Sequence, residues 1–394
     1  MRALARAALA RVVESKMRAE IAAAAGRHGS GTPSRRLPPG PWPEALGVGE
    51  GAPEESLGCD SLERLWLAAA LAETFDLAEA AQALNEAATF GDWLDRIEAA
   101  WPGDRVTFLT SGSSGVPKPC AHAMADLALE IEGLAPLLPG RRRVVAGVPA
   151  HHIYGFLFTA MLPERLGLPV VAYGSAPLAP GDLVVSFPDH WRLVARSHPA
   201  FPPDVTGVTS TAPCPRELMD DLSARGIAAF VEVYGSSETA GLGTRFYPAP
   251  AYRLMPQWRF DDGAEADRPS LVHASGRRVG AMDRLARVGE RAFMVEGRLD
   301  GMVQVGGVNV DPGAVAARLR EHTLVADAAV RLMRPDEGTR LKAFVVLAPG
   351  TPEETAREDL RAWIAGALPA PARPASLAFG PALPVGAMGK AADW

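Results

Sequence analysis

A loop rich in hydroxyls and glycines is the part of the sequence best suited to bind phosphate. Residues 110–118 read Thr-Ser-Gly-Ser-Ser-Gly-Val-Pro-Lys and follow the apolar run of residues 106–109. Glycines let the backbone approach an anion and adopt positive φ, whereas hydroxyls, free N–H groups and a lysine supply donors and charge. The candidate phosphate ligands are Thr110, Ser111, Gly112, Ser113, Ser114, Gly115 and Lys118. Residues 110–118 are called the phosphate loop below.

The phosphate loop differs from a Walker loop. A Walker loop needs Gly-x-x-x-x-Gly-Lys-Ser/Thr, and a helix starts directly on the phosphate. Here Pro117 precedes Lys118 and Pro119 follows it, so no helix can start there. The order of residues instead resembles the signature loop of the AMP-forming adenylating enzymes, which include acyl- and aryl-CoA synthetases, luciferases and the adenylation domains of peptide synthetases.

Further segments follow in the order found in that superfamily. Residues 234–239 read Tyr-Gly-Ser-Ser-Glu-Thr after a β-rich run, which resembles the family's Tyr-Gly-x-Thr-Glu motif. The resemblance implies that Glu238 holds Mg²⁺ against the ATP phosphates and that Tyr234 stacks near the adenine, with Gly235 and Ser236 also at the nucleotide. The chemistry is suitable, because Mg²⁺ prefers one or two carboxylates plus phosphate oxygens.

The C-terminal part of the sequence carries the remaining family motifs. Residues 297–300 and 306–310 look like the hinge and first strand of the small C-terminal domain. By that resemblance Arg298 binds ribose and Asp300 is the hinge, while Asp283 binds both ribose hydroxyls. Lys390 closes a Pro-x-x-x-x-Gly-Lys motif that begins at residue 384. The resemblance implies that Lys390 bridges the reacting carboxylate and the α-phosphate.

A histidine-containing segment suggests where an acid substrate would bind. Residues 149–156, called the histidine segment, read Pro-Ala-His-His-Ile-Tyr-Gly-Phe, and plant-type p-coumarate:CoA ligases have a similar His-Ile-Tyr there. That likeness implies that His152 packs by the carboxylate and that Tyr154 hydrogen-bonds a phenol. An otherwise unpaired buried donor discriminates strongly for a hydroxylated ligand. Thr211 and Ala212 resemble the turn that lines the same pocket, whereas Gln304 stands where the plant ligases place a lysine.

Composition excludes several classes of protein. The 394 residues give a formal net charge of -6 and an isoelectric point near 5.8, which argues against nucleic-acid binding. The three cysteines are too few and too widely spaced for a disulfide framework or a zinc site, which favours a reducing cytoplasm. No apolar run reaches membrane-spanning length, so we expect no membrane association.

Hydrophobic patterning predicts the elements that position these residues. Short apolar runs alternate with helical segments between residues 105 and 243, which is typical of an α/β fold with buried strands. The apolar runs predict strands at residues 143–148, 170–173, 183–186, 207–210 and 229–233, and at residues 341–347 in the C-terminal part. We predict a truncated large domain of an adenylating enzyme at residues 101–296 and a small, mobile α+β C-terminal domain at residues 297–394. Residues 1–100 are predicted to be mainly helical, with helices at residues 1–26 and 61–88.

The region before the phosphate loop also resembles an acyl carrier protein. Asp60-Ser61-Leu62 precedes a helical stretch, and Thr89-Phe90-Gly91-Asp92 opens another. The resemblance implies phosphopantetheine on Ser61. A purely structural interpretation is that these residues are helix caps, because Asp, Ser and Thr are favoured at helix N-termini.

The resemblances together predict an enzyme. The chain looks like the compact bacterial p-coumarate:CoA ligases associated with photoactive yellow protein, with ATP, Mg²⁺ and CoA as reactants and Lys118, Glu238, His152 and Lys390 as catalytic residues. An alternative is a ligase that loads the phosphopantetheine of a carrier, either a separate protein or its own Ser61. A partner would then be that carrier or a downstream acceptor such as photoactive yellow protein. A non-catalytic nucleotide sensor and a metal-dependent hydrolase that uses the histidine pair are the weaker alternatives.

Overall fold

The computed structural model describes residues 4–27, 37–52, 54–77, 81–110, 118–261, 270–281, 283–298, 301–334, 336–384 and 394. It divides into two compact units. Unit 1 comprises the described residues of Met1–Thr110, Pro119–Gly280 and Arg287–Met294. Unit 2 comprises those of Ser111–Lys118, Ala281–Ala286 and Val295–Trp394.

Helices and strands alternate through most of unit 1. Its helices are α1 (Arg6–Arg27), α2 (Ser61–Phe75), α3 (Ala81–Asn85), α4 (Phe90–Ala100), α5 (Met124–Leu134), α6 (Ile153–Phe156), α7 (Leu162–Leu166), α8 (Pro188–Ser197) and α9 (Arg216–Ala224), with a 3₁₀ turn at Ala135–Leu137 and a π-helical turn at Leu157–Met161. The strands up to residue 298 are β1 (Arg105–Thr110), β2 (Lys118–Ala123), β3 (Arg143–Ala146), β4 (Val170–Ala172), β5 (Asp182–Ser186), β6 (Thr206–Thr209), β7 (Ala229–Ser236), β8 (Ala240–Phe246), β9 (Tyr252–Leu254), β10 (Trp258–Phe260), β11 (Ser270–His273), β12 (Arg278–Gly280), β13 (Asp283–Arg287) and β14 (Ala292–Arg298).

In the described chain, nine strands form the main sheet, in the order β13-β14-β9-β8-β7-β6-β5-β3-β4. Strands β4, β3, β5, β6 and β7 are parallel, and β8, β9 and β14 continue the sheet antiparallel. Strand β5 is buried along its whole length, as expected for a parallel strand covered on both faces. Ligands of such sheets bind beyond the carboxyl ends of the parallel strands, which is where the loops after β3, β6 and β7 lie.

A large aromatic residue anchors helix α8 on the main sheet. Trp191 of α8 is fully buried, and its Nε1 donates to the Val208 carbonyl of β6 at 3.1 Å. Its ring meets Phe230 of β7 edge-on at a centroid distance of 5.1 Å. The indole therefore buries a large apolar area without leaving its N–H unpaired.

The N-terminal helices belong to the same unit as the main sheet. Asp60 caps α2 through a capping box with Glu63, and Thr89 caps α4 through one with Asp92, so reciprocal side-chain bonds satisfy backbone donors at both helix starts. Helix α2 ends earlier than predicted, because Asp76 adopts φ 57 at its C-terminus. Asp is one of the few residues that tolerate this left-handed conformation.

Unit 2 is a small α+β unit. Its elements are β15 (Val303–Val305), β16 (Val308–Val310), α10 (Pro312–Arg320), β17 (Val325–Leu332), β18 (Leu341–Leu347), α11 (Glu353–Ala367), a 3₁₀ turn at Ala370–Ala372 and β19 (Ser376–Phe379). Strand β17 pairs with β18 antiparallel, and β19 joins β18 parallel. The apolar faces of α10 and α11 share one core with these strands, in which Leu319, Leu341 and Leu360 are fully buried.

Candidate active site

The phosphate loop lies between β1 and β2. Strand β1 ends at Thr110, and β2 begins at the exposed Lys118. Val106 and Phe108 of β1 are buried, which fixes the strand that leads into the loop. The predicted ligands Ser111, Gly112, Ser113, Ser114 and Gly115 lie outside the described residues.

Residues 236–239, called the acidic turn, connect β7 to β8 and carry Glu238. The backbone N–H of Ser236 donates to Thr239 Oγ1 at 3.1 Å, and Thr239 Oγ1 donates to the Ala240 carbonyl at 2.9 Å. Ahead of the turn, a Cβ on Gly235 would lie 2.1 Å from the Ala240 carbonyl oxygen, so the two strands can approach this closely only with glycine there. The turn presents the exposed Glu238 at the carboxyl end of a parallel strand.

Two side chains from other segments of unit 1 hydrogen-bond to backbone carbonyls of the acidic turn. His122 of β2 lies with its Nε2 2.6 Å from the Ser237 carbonyl oxygen, and Arg277 Nη1 donates to the Glu238 carbonyl at 3.0 Å. His122 is 5% exposed, and burial lowers its pKa. A neutral imidazole donates to a carbonyl through the protonated nitrogen, so this contact assigns the proton to Nε2.

Tyr234 lies on β7 in an aromatic cluster. Its ring centroid is 5.5 Å from those of Tyr252 and Phe293, and these two rings stack at an interplanar angle of 18°. Packing against rigid rings restricts the orientation of Tyr234, which is what a surface that stacks on a base requires.

The histidine segment begins at the carboxyl end of the main sheet, after β3. His152 precedes α6 and is exposed, whereas Tyr154 is buried. Burial raises the pKa of Tyr154 well above its usual value, and its hydroxyl donates to the Ser186 carbonyl at 3.0 Å. This corrects the expectation of an unpaired phenolic donor, because the hydroxyl already donates its hydrogen bond to a backbone carbonyl inside the protein.

The turn after β6 is constrained on both sides of Thr211. Ser210 Oγ donates to the Val233 carbonyl at 2.8 Å, and the Cys214 N–H donates to the buried Glu232 Oε1 at 3.0 Å. Thr211 itself has φ 78, a left-handed conformation that costs energy for a β-branched residue. Such strain persists only where the surroundings impose it, and it is commonest at ligand sites. Ala212 follows it, half-buried.

Of the remaining predicted residues, some lie at the ends of described elements and others outside the described residues. Asp283 is the first residue of β13, and Arg298 is the last of β14. Asp300 and Lys390 lie outside the described residues. Ser61 is exposed at the first position of α2, and the capping box at this helix start is formed by Asp60 and Glu63.

Sequence reasoning missed His122 and Glu130. The alternating burial of β2 places His122 on its buried face, a period-two signal that could have identified it as an inward-facing polar residue. Glu130 of α5 is 2% exposed and accepts from the Gly241 N–H at 3.0 Å. Burial raises its pKa to about 8. Its place on the apolar face of α5 gave no sign of a polar partner.

Comparison with known proteins identifies the class. Residues 69–262 match the AMP-binding enzyme family, and residues 314–390 match the AMP-binding enzyme C-terminal domain. The 4-coumarate–CoA ligase of Halorhodospira halophila is 41% identical over 348 residues, covering 85% of this chain and 88% of that protein. The chain belongs to the AMP-binding enzymes, the family of AMP-forming adenylating enzymes.

Within this family the chain groups with bacterial acid–CoA ligases. The 4-coumarate–CoA ligase of Rhodobacter capsulatus is 40% identical over 375 residues, covering 89% of this chain and 94% of that protein. The fold matches that of the amide bond synthetase from Marinactinospora thermotolerans, with a TM-score of 0.58, 21% identity, and coverage of 73% of this chain and 68% of that one. The α/β fold with a large and a small domain is thereby confirmed.

The carrier-like assignment of residues 1–100 is not confirmed. The AMP-binding match begins at residue 69, within that region, and the described residues before Thr110 fold in one unit with the main sheet. Among the described residues, three or more His, Cys, Asp or Glu side chains nowhere cluster as a metal site. None of the described helices combines the length and apolarity needed to cross a membrane.

Proposed function

We propose that this chain activates p-coumarate with ATP and transfers the acyl group to CoA. The observation that carries this is the similarity, at 41% and 40% identity over most of the chain, to two bacterial 4-coumarate–CoA ligases. The braced acidic turn supports it, because a preorganised carboxylate at the end of a parallel strand suits a magnesium nucleotide. The product would be a thioester for a downstream acceptor such as photoactive yellow protein.

The nucleotide would be held by the phosphate loop and by the carboxyl end of β7. Lys118 and the loop donors Thr110, Ser111, Gly112, Ser113, Ser114 and Gly115 would surround the phosphates, with Tyr234, Gly235 and Ser236 at the adenine. Asp283 and Arg298 would bind the ribose. Donors held in place before the reaction stabilise the charge that develops in the transition state without further reorganisation.

The acidic turn is chemically suited to Mg²⁺. Glu238 is exposed on a turn that His122 and Arg277 hold by its carbonyls, so its carboxylate remains available to a ligand. A single carboxylate with phosphate oxygens is a usual donor set for this ion, which would neutralise phosphate charge. Glu238 would therefore hold the ion against the ATP phosphates.

The reaction would proceed in two halves. In the first, a carboxylate oxygen of the acid attacks the α-phosphorus of ATP, and the bond to the β-phosphate oxygen breaks to release pyrophosphate. Lys390 would bridge the carboxylate and the α-phosphate. In the second, the C-terminal domain predicted at residues 297–394 would rotate about Asp300, a hinge motion of a common kind. The CoA thiol, losing its proton, would then attack the acyl carbon and release AMP.

The acid would bind beside the histidine segment and the turn after β6. His152 would lie by the carboxylate, and Thr211 and Ala212 would line the pocket. The ring of Tyr154 would line one side of the acid pocket, since its hydroxyl already donates to the Ser186 carbonyl. A flat aromatic acid fits such a site because aromatic faces bury a large area in fixed orientations.

Mass spectrometry of products tests the proposal. The protein is incubated with MgATP and p-coumarate, with and without CoA; we expect coumaroyl-AMP without CoA and p-coumaroyl-CoA with it. Adenylate without a CoA product would point to a carrier-protein acceptor, and an intact-mass gain of phosphopantetheine would then place that acceptor on Ser61. No adenylate at all would contradict the proposal.

The variant Lys390→Ala separates the two half-reactions. We expect it to abolish adenylate formation and to retain transfer from supplied coumaroyl-AMP to CoA, because the lysine would act only in the first half. Each preparation serves as its own control, since both halves are measured on the same protein. An equal loss of adenylate formation and of transfer to CoA would contradict the role proposed for Lys390.

A further inference from the structure

Helix α1 packs against the segment that carries the two histidines. Val12, Val13 and Met17 of α1 are fully buried, and the helix contacts the π-helical turn Leu157–Met161. Arg11 Nε donates to the Thr159 carbonyl at 2.9 Å, and Thr159 Oγ1 donates to the Gly155 carbonyl at 2.7 Å. These bonds fix the register of α1 against the histidine segment, and π-helical turns are frequent at functional sites.

Two successive contacts join α1 to His152. Ser15 Oγ lies 2.8 Å from Nδ1 of His151. The ring of His151 lies against that of His152, with centroids 4.3 Å apart and an interplanar angle of 41°. Because His152 retains exposed surface, its outer side is accessible to a ligand while its inner side rests on a ring that α1 holds.

A buried lysine on α1 affects both histidines. Lys16 is 7% exposed, and its Nζ lies 2.9 Å from Glu20 Oε1. Burial, the neighbouring His152 and the charge of Lys16 lower the pKa of His151 to about 3. Surrounding protein atoms and Lys16 also lower the pKa of His152, although part of that residue is exposed. Both rings are therefore neutral near pH 7, and a neutral His152 can hydrogen-bond a carboxylate without forming an ion pair that would weaken the nucleophile.

We propose that Ser15 is a positioning residue of the acid-binding site: its hydrogen bond to His151 fixes the ring on which His152 packs, and so orients His152 toward the carboxylate of the aryl acid. The inference rests on the proposed function, because it assigns a role in acid binding to His152. It gives α1 a place in the active site that none of the family motifs includes.

The test is a set of steady-state measurements of adenylate formation. Ser15→Ala removes the hydroxyl and keeps a strong helix former at that position, and His151→Phe keeps an aromatic ring but removes Nδ1. We expect each variant to raise KM for the acid by about 3- to 10-fold, as for loss of one hydrogen bond, and to leave KM for ATP unchanged. The double variant should match His151→Phe alone, because both changes break the same bond.

Two controls separate positioning from general structural damage. Ser15→Thr keeps the hydroxyl and should restore the wild-type KM for the acid. Ser197→Ala removes a hydroxyl that donates to the Leu193 carbonyl at 3.0 Å within the exposed surface of α8, and it should change neither KM.

Failure of this inference is distinguishable from failure of the proposed function. If the wild-type protein forms no aryl adenylate, the proposed function fails and the inference fails with it. If the wild type is active but Ser15→Ala leaves KM for the acid unchanged, or raises both KM values equally, the inference alone is overturned. Additive effects of Ser15→Ala and His151→Phe would also overturn it, because the two residues would then act separately.

Discussion

Nε2 of His122 lies 2.6 Å from the carbonyl oxygen of Ser237, although 115 residues separate them in sequence. His122 is four residues after Lys118 on the strand that leaves the phosphate loop, and Ser237 precedes Glu238 in the acidic turn. The bond therefore joins the strand that follows one family motif directly to the turn that carries another. Neither motif contains the histidine that connects them.

We expect His122→Phe to weaken use of MgATP. The ring fills a similar volume, but the Ser237 carbonyl loses its donor, which costs about 1–3 kcal/mol of stability for a poorly solvated group. The acidic turn would then be less fixed, and kcat/KM for MgATP in adenylate formation should fall about 10-fold. Pyrophosphate exchange measured at varied MgATP concentration checks this.

His198→Phe is the matched control. His198 follows α8, contacts the Val194 carbonyl with Nδ1 at 3.1 Å, and stacks on Phe201. Helix α8 starts at the carboxyl edge of the sheet and runs back, so His198 lies at the opposite edge from the acidic turn. An equal fall in kcat/KM in both variants would show a general loss of folded protein and contradict the role of His122.

We expect Glu238→Gln to raise the Mg²⁺ concentration needed for half-maximal adenylate formation by about 10-fold or more. An amide oxygen is a weaker ligand than a carboxylate for a hard cation. Titration of Mg²⁺ at fixed total ATP measures the change. Glu217→Gln, which alters an exposed acid in the first turn of α9, should leave the titration unchanged. A titration unchanged in Glu238→Gln would exclude Glu238 as a ligand.

The elements with a strong local signal could be predicted from the sequence. Strand β18 has the predicted bounds, 341–347, because an apolar run interrupted only by Lys342 determines it. The parallel strands from β3 to β7 lie within one or two residues of their predicted starts for the same reason. The end of α2 was missed, because Asp76 adopts a positive φ that nothing in the surrounding sequence demands.

The contacts that position the site could not be predicted, because they join distant parts of the chain. Glu130 meets Gly241 across 111 residues, and Ser15 meets His151 across 136. Each contact depends on how a helix docks on the sheet, whereas motifs and periodicity describe only neighbouring residues. The family resemblance predicts which residues face the substrates, and the fold shows which distant residues contact the segments that carry them.

Tyr154→Phe tests whether the buried hydroxyl discriminates between substrates. Removing it leaves the Ser186 carbonyl without a donor, so we expect the free energy of unfolding to fall by about 1 kcal/mol. The ratio of kcat/KM for p-coumarate to that for cinnamate should not change, because the Tyr154 hydroxyl donates to the Ser186 carbonyl and not to the substrate. Chemical denaturation and the two kinetic series measure these effects.

Tyr247→Phe is the control for that experiment. The hydroxyl of Tyr247 donates to Asp220 at the protein surface, and surface substitutions usually change stability by less than about 0.5 kcal/mol. A large fall in the preference of Tyr154→Phe for p-coumarate would show that Tyr154 does contact the phenol of the substrate.

Glu130 should make stability depend on pH. Burial raises the pKa of its carboxyl from the ordinary 4.5 to about 8. Between these two pH values Glu130 is protonated in the folded state and ionised in the unfolded state. Its contribution is fully present below about pH 4.5 and is lost as pH rises through about 8, since stability falls with pH wherever the folded state binds more protons. Glu130→Gln keeps an acceptor for Gly241 and cannot ionise.

We therefore expect Glu130→Gln to become more stable relative to the wild type by roughly 2–4 kcal/mol between pH 5 and pH 8, measured by denaturant unfolding at several pH values. Glu132→Gln on the same helix is the control: Glu132 is exposed, and hydrogen bonding to Arg165 lowers its pKa. The stability that ionised Glu132 contributes is present throughout pH 5–8 and is lost only at lower pH. The stability difference between Glu132→Gln and the wild type should therefore stay constant from pH 5 to pH 8. If the stability difference between Glu130→Gln and the wild type is also constant, Glu130 is already ionised in the folded protein at pH 5. A charged partner, and not a proton, would then compensate its buried charge.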